Sequence, residues 1–173
     1  MMTPEFARPF PVHVIGSTPS NASIVATNSE CAALAKRFDL IEISQIEATA
    51  ILLLRDGQPI AEGRLTAALS QACIATGEPV PVVLTLPFKV RFIDEVAEPN
   101  LEELELTFDD YDDMPLIGGQ ADLGEAVAQS VALALDPFPR GPNAAQTLRT
   151  AGVMTEGEEP HGAFAGLKDL LKR

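Results

Sequence analysis

The longest regular pattern of apolar and polar positions runs from Val80 to Ile93. Val80, Val82, Leu84, Leu86, Phe88, Val90 and Phe92 share one parity, and Pro81, Val83, Thr85, Pro87, Lys89, Arg91 and Ile93 share the other. Side chains of an extended chain alternate between faces, so this period of two predicts a strand with one continuously apolar face. A second alternating run precedes it: Ala61, Gly63, Leu65, Ala67, Leu69, Gln71 and Cys73 oppose Ile60, Glu62, Arg64, Thr66, Ala68 and Ser70. Between the runs, Ala75-Thr76-Gly77-Glu78-Pro79 carries turn chemistry, since Gly tolerates positive φ and Pro fixes its own. The two runs form a long central hairpin, and the rest of the fold is expected to pack on its apolar face.

Other elements follow in chain order. Phe6 to Ile15 reads as extended chain, with Pro9 and Pro11 confining it to a sheet edge, and Gly16 to Asn21 as loop. Thr27-Asn28-Ser29-Glu30 is a capping box, followed at helical spacing by Cys31, Leu34, Ala35 and Phe38. Leu40 to Ile43 predicts a short strand and Ile46 to Leu54 another, with Asp56-Gly57 as the hairpin turn into Pro59. Pro87 lacks a ladder donor, so an edge position or a bulge is expected near it, and either lets the sheet curl. Leu101 to Phe108 reads as a returning strand and Asp109 to Gln120 as an acidic, Gly-containing loop. A second helix opens at Asp122 with Glu125 three positions on as a capping box. It carries Leu123, Val127, Val131 and Leu135 as a stripe, and Asp136-Pro137 stops it. Residues 138–162 read as a flexible segment and 163–173 as a short helical tail with Phe164, Leu167, Leu170 and Leu171 on one face. The expected architecture is α+β: a mainly antiparallel, strongly curved sheet or partly open barrel, packed by two or three helices, in a single domain over 1–173.

Composition changes this picture in two ways. With eight Phe, one Tyr and no Trp, the core is aliphatic and stacking platforms for single-stranded nucleic acid are scarce. No apolar run approaches the roughly 18 residues a membrane span needs, the N-terminus lacks a signal-peptide pattern, and two isolated cysteines make no disulfide framework, which points to a reducing cytoplasm. Charge is the sharper signal. The formal net charge is −13, and from Phe92 to Pro139 there are thirteen acidic residues with no Lys or Arg. Outside that window twelve acids balance twelve bases. Such a field repels phosphate backbones and attracts basic partners. The candidate partner-binding residues are Asp94, Glu95, Glu98, Glu102, Glu103, Asp109, Asp110, Asp112 and Asp113.

Candidate chemistry is sparse. No nucleophile elbow, phosphate-binding loop, dinucleotide fingerprint or metalloprotease helix is present. The two histidines, His13 and His161, read as ordinary surface or half-buried residues. Cys31 falls on the apolar stripe of its helix, where a thiol behaves as a small hydrophobe. Cys73 stands at the turn, but the position of a Cys-x-x-Cys partner is Thr76, so a four-ligand zinc site is not supplied. The run Asp109-Asp110-Tyr111-Asp112-Asp113 does not fit the register of a calcium loop. No metal or cofactor is expected.

The order and spacing of several pieces resemble the bacterial YceD family, the large ribosomal RNA subunit accumulation proteins. The pieces are Gly63 through Gln71, Cys73, Thr76, Glu78 and Pro79; the acidic segment; Asp122, Leu123 and Glu125 opening a helix that ends before Pro137; and Phe164 with Leu167 in the tail. The resemblance implies a cytoplasmic protein needed for normal levels of large-subunit ribosomal RNA, without catalytic residues. Many members carry Cys-x-x-Cys at the turn, and this chain departs from that pattern at Thr76. The combined expectation is a non-enzymatic ribosome-biogenesis factor whose acidic face holds a basic ribosomal protein or RNA-maturation factor, with nucleic-acid contact indirect or weak. The alternatives are an RNA-processing or metal-dependent hydrolytic enzyme using Asp109 to Asp113, or direct RNA binding through Arg64, Lys89 and Arg91.

Overall fold

The capping box at Thr27 forms as its residues require. In the computed structural model, which describes residues 4–94 and 111–153, Thr27 Oγ1 accepts the Glu30 N–H at 3.3 Å, and the Glu30 carboxylate accepts the Thr27 N–H at 2.7 Å. Satisfying free donors in this way contributes about 1 kcal/mol. Helix α1 (Asn28–Arg37) begins there and buries Cys31, Leu34 and Ala35. Arg8 adds a fork onto the same carboxylate, at 2.7 and 2.9 Å. That hydrogen bond holds the Glu30 carboxyl at about 2, well below its ordinary 4.5.

Five strands, β2 (Ser20–Val25), β3 (Glu42–Arg55), β4 (Gln58–Ala72), β5 (Pro79–Asp94) and β6 (Asp112–Leu116), form one sheet in that order. A two-stranded sheet joins β1 (Pro9–Pro11) to β7 (Gln120–Asp122) in antiparallel register. Helices α2 (Leu123–Leu133) and α3 (Ala144–Thr150) follow. The chain divides into two compact units, residues 1–71 with 81–137 and residues 72–80 with 138–173. None of the described helices is long and apolar enough to cross a membrane.

In the first unit the alternating face does what its pattern predicts. Leu65, Ala67 and Leu69 on β4 and Phe88, Val90 and Phe92 on β5 are buried with Ile46, Ala48, Ala50 and Leu52 on β3. They share one core with Cys31, Leu34 and Ala35 of α1 and Leu123, Ala126, Val127 and Val131 of α2. Phe6 is fully buried in it, which contributes about 1.5–3 kcal/mol and fastens the N-terminal segment. Val82, Leu84 and Leu86 are only partly buried, so the apolar face of β5 is better covered toward its C-terminal end.

Several elements differ from the sequence expectation. The sheet is mixed: β2–β3 and β3–β4 are antiparallel, but β5 and β6 run parallel, from Val90 opposite Asp112 to Asp94 opposite Leu116. A parallel return needs a crossover of about a dozen residues or more, and residues 95–111 supply that length. The strand order leaves β2 and β6 at the two ends, with no pairing between them among the described residues, so the sheet is open. The two short strands expected around residues 40–54 are one strand, β3. A register shift between Ile43 and Gln45 inserts Ser44, and the inward parity switches from odd to even across it. That slip makes one strand read as two. Strand β2 was not anticipated, because Ser20, Asn21 and Ser23 conceal its inward residues Ala22 and Ile24.

The expected edge strand from Phe6 to Ile15 is shorter, with Val12–Val14 turning into a 3-10 helix that exposes His13. The expected loop from Asp109 to Gln120 contains β6, the Gly118-Gly119 turn (φ +60 and +72) and the start of β7. At α2, Asp122 Oδ1 accepts from Gly124 and Glu125 N–H, but Glu125 turns its carboxylate to Arg37, so only half of the expected box exists. The Asp56-Gly57 turn is as expected, with both residues at positive φ (52 and 81). Pro87 lies where β5 has no partner opposite β4 among the described residues, since pairing with β6 begins at Val90. The Leu101 to Phe108 strand and the helical tail lie outside the described residues.

Gly63 is fixed by proximity. A Cβ there would meet the Thr49 carbonyl oxygen at 2.1 Å and Ala50 Cα at 2.8 Å, both backbone atoms of β3. Gly63→Ala is therefore expected to cost stability at the upper end of about 1–3 kcal/mol, read by urea denaturation; a midpoint within error of the parent would show that β3 and β4 separate freely. The low Glu30 pKa has its own signature. A depressed carboxyl stabilises the fold above its ordinary 4.5, and the contribution is lost as pH falls from there through about 2. Glu30→Gln should flatten the acid limb of stability in that window.

Candidate functional site

Among the nine acidic positions expected to bind a partner, the structure describes Asp94, Asp112 and Asp113. Glu95, Glu98, Glu102, Glu103, Asp109 and Asp110 lie outside the described residues, as do Phe164 and Leu167 of the family pattern. Asp94 ends β5 and Asp112 opens β6 opposite Val90, so the two stand four strand positions apart, roughly 13 Å. Both are exposed and have no cation partner among the described residues. Asp113 is different. Arg91 donates to both of its oxygens, at 2.7 and 2.9 Å, so its charge is locally offset. Asp112 and Asp113 are consecutive in a strand and therefore point to opposite faces. Among the described residues no group of three His, Cys, Asp or Glu is placed to hold a metal ion.

The three basic residues of the RNA-binding alternative are also distributed. Arg91 is held by Asp113. Lys89 Nζ lies 5.9 Å from the centre of the Tyr111 ring, which Arg55 also approaches at 5.7 Å. Tyr111 bridges Arg55 and Glu62 by hydrogen bonds to each. Arg64 is exposed and lines a hollow of about 570 Å³ with Asn21, Ser23, Thr49 and Glu62. Much of this positive charge is engaged in tying the outer sheet face to the start of β6.

The family-pattern positions of the first unit are structural. Gly63 admits the β3 backbone. Gln71 is buried and donates to the Asp136 carbonyl at 2.8 Å, just before Pro137. Asp122 caps α2 and also accepts the Arg8 N–H at 2.8 Å, locking β1 to the helix start. Leu123 is fully buried beneath that cap. Glu125 accepts from both terminal nitrogens of Arg37, at 2.7 and 2.9 Å; burial pushes its pKa up, and the Arg37 and Gln129 hydrogen bonds with the Arg37 charge together bring it below the ordinary value.

The turn positions gather in the second unit, of which residues 72–80 and 138–153 are described. Cys73 N–H donates to the Glu78 carbonyl at 2.8 Å, and Gly77 N–H to the Cys73 carbonyl at 2.8 Å, with Gly77 at φ +71. Pro79 then opens β5. From the other side of this unit Gly141 N–H donates to Cys73 Sγ at 3.3 Å, Ile74 N–H to the Pro139 carbonyl at 2.9 Å, and Asn143 Nδ2 to Glu78 at 3.1 Å. The thiol is only 2% exposed. The Thr76 hydroxyl, then the Gly141 N–H, favour the thiolate and bring Cys73 from 9.0 to about 7, against burial, which acts the other way. Thr76 has one hydroxyl proton, for which the Glu78 carboxylate competes at 3.2 Å. In place of a second sulfur the turn thus holds a hydroxyl, which donates to Glu78, and Cys73 Sγ accepts from Gly141.

Sequence reasoning missed the far half of this arrangement. Gly141, Asn143 and helix α3 sit in a stretch whose Pro and Gly content suggested only flexibility; the signal was Asn143 heading Ala144 and Ala145. It also missed Arg37, whose two carboxylate partners Glu5 and Glu125 lie 32 and 88 residues away. The thiol environment makes a direct prediction. A depressed thiol stabilises the fold above its ordinary 9.0, and the effect is lost as pH falls through about 7. Thr76→Val should move the thiolate absorbance midpoint of Cys73 upward, toward the ordinary range, and flatten the rise of stability with pH in that window. An unmoved midpoint would mean that Thr76 does not donate to the sulfur.

A family model described as Large ribosomal RNA subunit accumulation protein YceD matches residues 61–171. Comparisons with curated proteins and with solved structures give no match. The matched span runs from the inward face of β4 through the Cys73 turn, β5, β6 and α2 into the tail, and on that ground the chain belongs to the YceD family, whose name ties it to accumulation of large-subunit ribosomal RNA.

Proposed function

We propose that this chain is a cytoplasmic, non-enzymatic ribosome-biogenesis factor that supports large-subunit ribosomal RNA by holding a basic protein, either a ribosomal protein or a maturation factor. The observation that carries the reading is the division of charge: thirteen acids and no Lys or Arg from Phe92 to Pro139, in a chain otherwise balanced. Uncompensated carboxylates raise the encounter rate with positively charged surfaces and disfavour phosphate backbones. Asp94 and Asp112, exposed at the two boundaries of residues 95–111, fit such a role, whereas Asp113, Asp122 and Glu125 have structural partners in Arg91, the α2 N–H groups and Arg37.

The experiment is retention of large-subunit precursors by tagged protein across a salt series. Replacing Asp94, Glu95, Glu98, Glu102, Glu103, Asp109, Asp110 and Asp112 by Asn or Gln, with Asp113 left in its pair, should reduce retention about tenfold or more at low salt and abolish its salt dependence. Retention that survives both high salt and neutralisation would remove the electrostatic account.

A further inference from the structure

In the first unit the N-terminal segment, the end of α1, β6 and the start of α2 enclose a pocket of about 280 Å³. Pro4, Met114, Pro115 and Ile117 supply its apolar lining, and Glu5, Arg37, Asp122, Glu125 and Gln129 its polar lining. Arg37 donates inside it to Glu5 Oε2 at 3.0 Å and to both oxygens of Glu125. Gln129 Nε2 also donates to Glu125, at 2.9 Å. Asp122 Oδ1 takes three backbone N–H groups, from Arg8, Gly124 and Glu125.

What is left over is one-sided. Glu5 Oε1, Asp122 Oδ2 and Gln129 Oε1 have no donor among the described residues, and three carboxylates face one guanidinium. The pocket therefore offers three open acceptors, an excess of negative charge and an apolar wall. An anionic ligand would meet repulsion, and a neutral apolar one would leave the acceptors bare. A long aliphatic stem ending in a cation satisfies both parts.

We propose that this pocket receives a lysine side chain of the basic partner, with its methylenes against Pro115 and Ile117 and its ammonium among the three open oxygens. The proposal rests on the reading that the partner is a basic protein. Lysine fits better than arginine, because an ammonium carries three separate donors, whereas a guanidinium prefers a carboxylate fork and Arg37 already occupies the one at Glu125. Ile117 is 54% exposed, so it stands at the mouth where a side chain enters.

The test uses the full chain and a short capped peptide with lysines spaced by glycine and serine, followed by NMR at low salt. Matched peptides carry norleucine or arginine in place of lysine. The lysine peptide is expected to shift the Ile117 methyls and the Gln129 side-chain amide saturably, and the norleucine peptide to bind about tenfold more weakly or worse. Glu5→Gln should weaken the lysine peptide, and Ile117→Lys, a change at an exposed position, should block it. Shifts confined to Asp94, Asp112 and their surroundings, unaffected by Ile117→Lys, would overturn the pocket while leaving the acidic-segment reading standing. Absence of any lysine-peptide binding would overturn both. Equal binding of the norleucine or the arginine peptide would overturn the assignment of a lysine.

Discussion

Close approach of backbones is the constraint on which the first unit depends. At Gly63 the β3 carbonyl of Thr49 occupies the space a side chain would need, and at Gly124 the Phe6 carbonyl does the same, 1.9 Å from where a Cβ would sit. The first contact brings β3 and β4 together beside the row of small inward residues Ala48, Ala50, Ala61 and Ala67. The second lets the N-terminal segment lie against α2, where Phe6 enters the core and Arg8 N–H reaches the Asp122 cap. A core with few aromatics and many alanines has to gain its density from short distances.

The parts of the fold legible in the sequence were those governed by local physics. The hairpin, the Asp56-Gly57 turn, the α1 box and the Asp122 cap each follow from a spacing of a few residues. The parts that were not legible depend on partners far away in the chain. The β5–β6 pairing is parallel because the connection is long, and no residue within either strand announces that direction. Ser44 breaks the parity of β3, which only its register against β4 reveals. Glu125 looked like half of a capping box because the pattern fits, yet a guanidinium 88 residues away is a stronger partner than a backbone N–H.

The candidate site was legible to a similar depth. Sequence alone located the excess of carboxylates and the loss of a second cysteine at Thr76. It did not separate acids that hold the fold from acids left facing solvent. Asp113, Asp122 and Glu125 all counted toward the negative segment, yet Asp113 and Glu125 are bound by guanidinium groups the pattern did not connect to them, and Asp122 adds the Arg8 N–H to the cap the pattern placed there. Cys73 likewise looked like the remnant of a pair, whereas the Gly141 N–H makes it an acceptor in its own right.

The prolines of β5 carry a last consequence. Pro79, Pro81 and Pro87 fall on one parity of a strand rich in Val and Leu, so their missing N–H groups all lie along the same side. Up to Val90 the side of β5 away from β4 has no neighbour among the described residues. An aliphatic edge of this kind would ordinarily template further strands and seed aggregates. Three residues without an N–H make β5 a poor template for further pairing, with no charge placed within it from Val80 to Phe88.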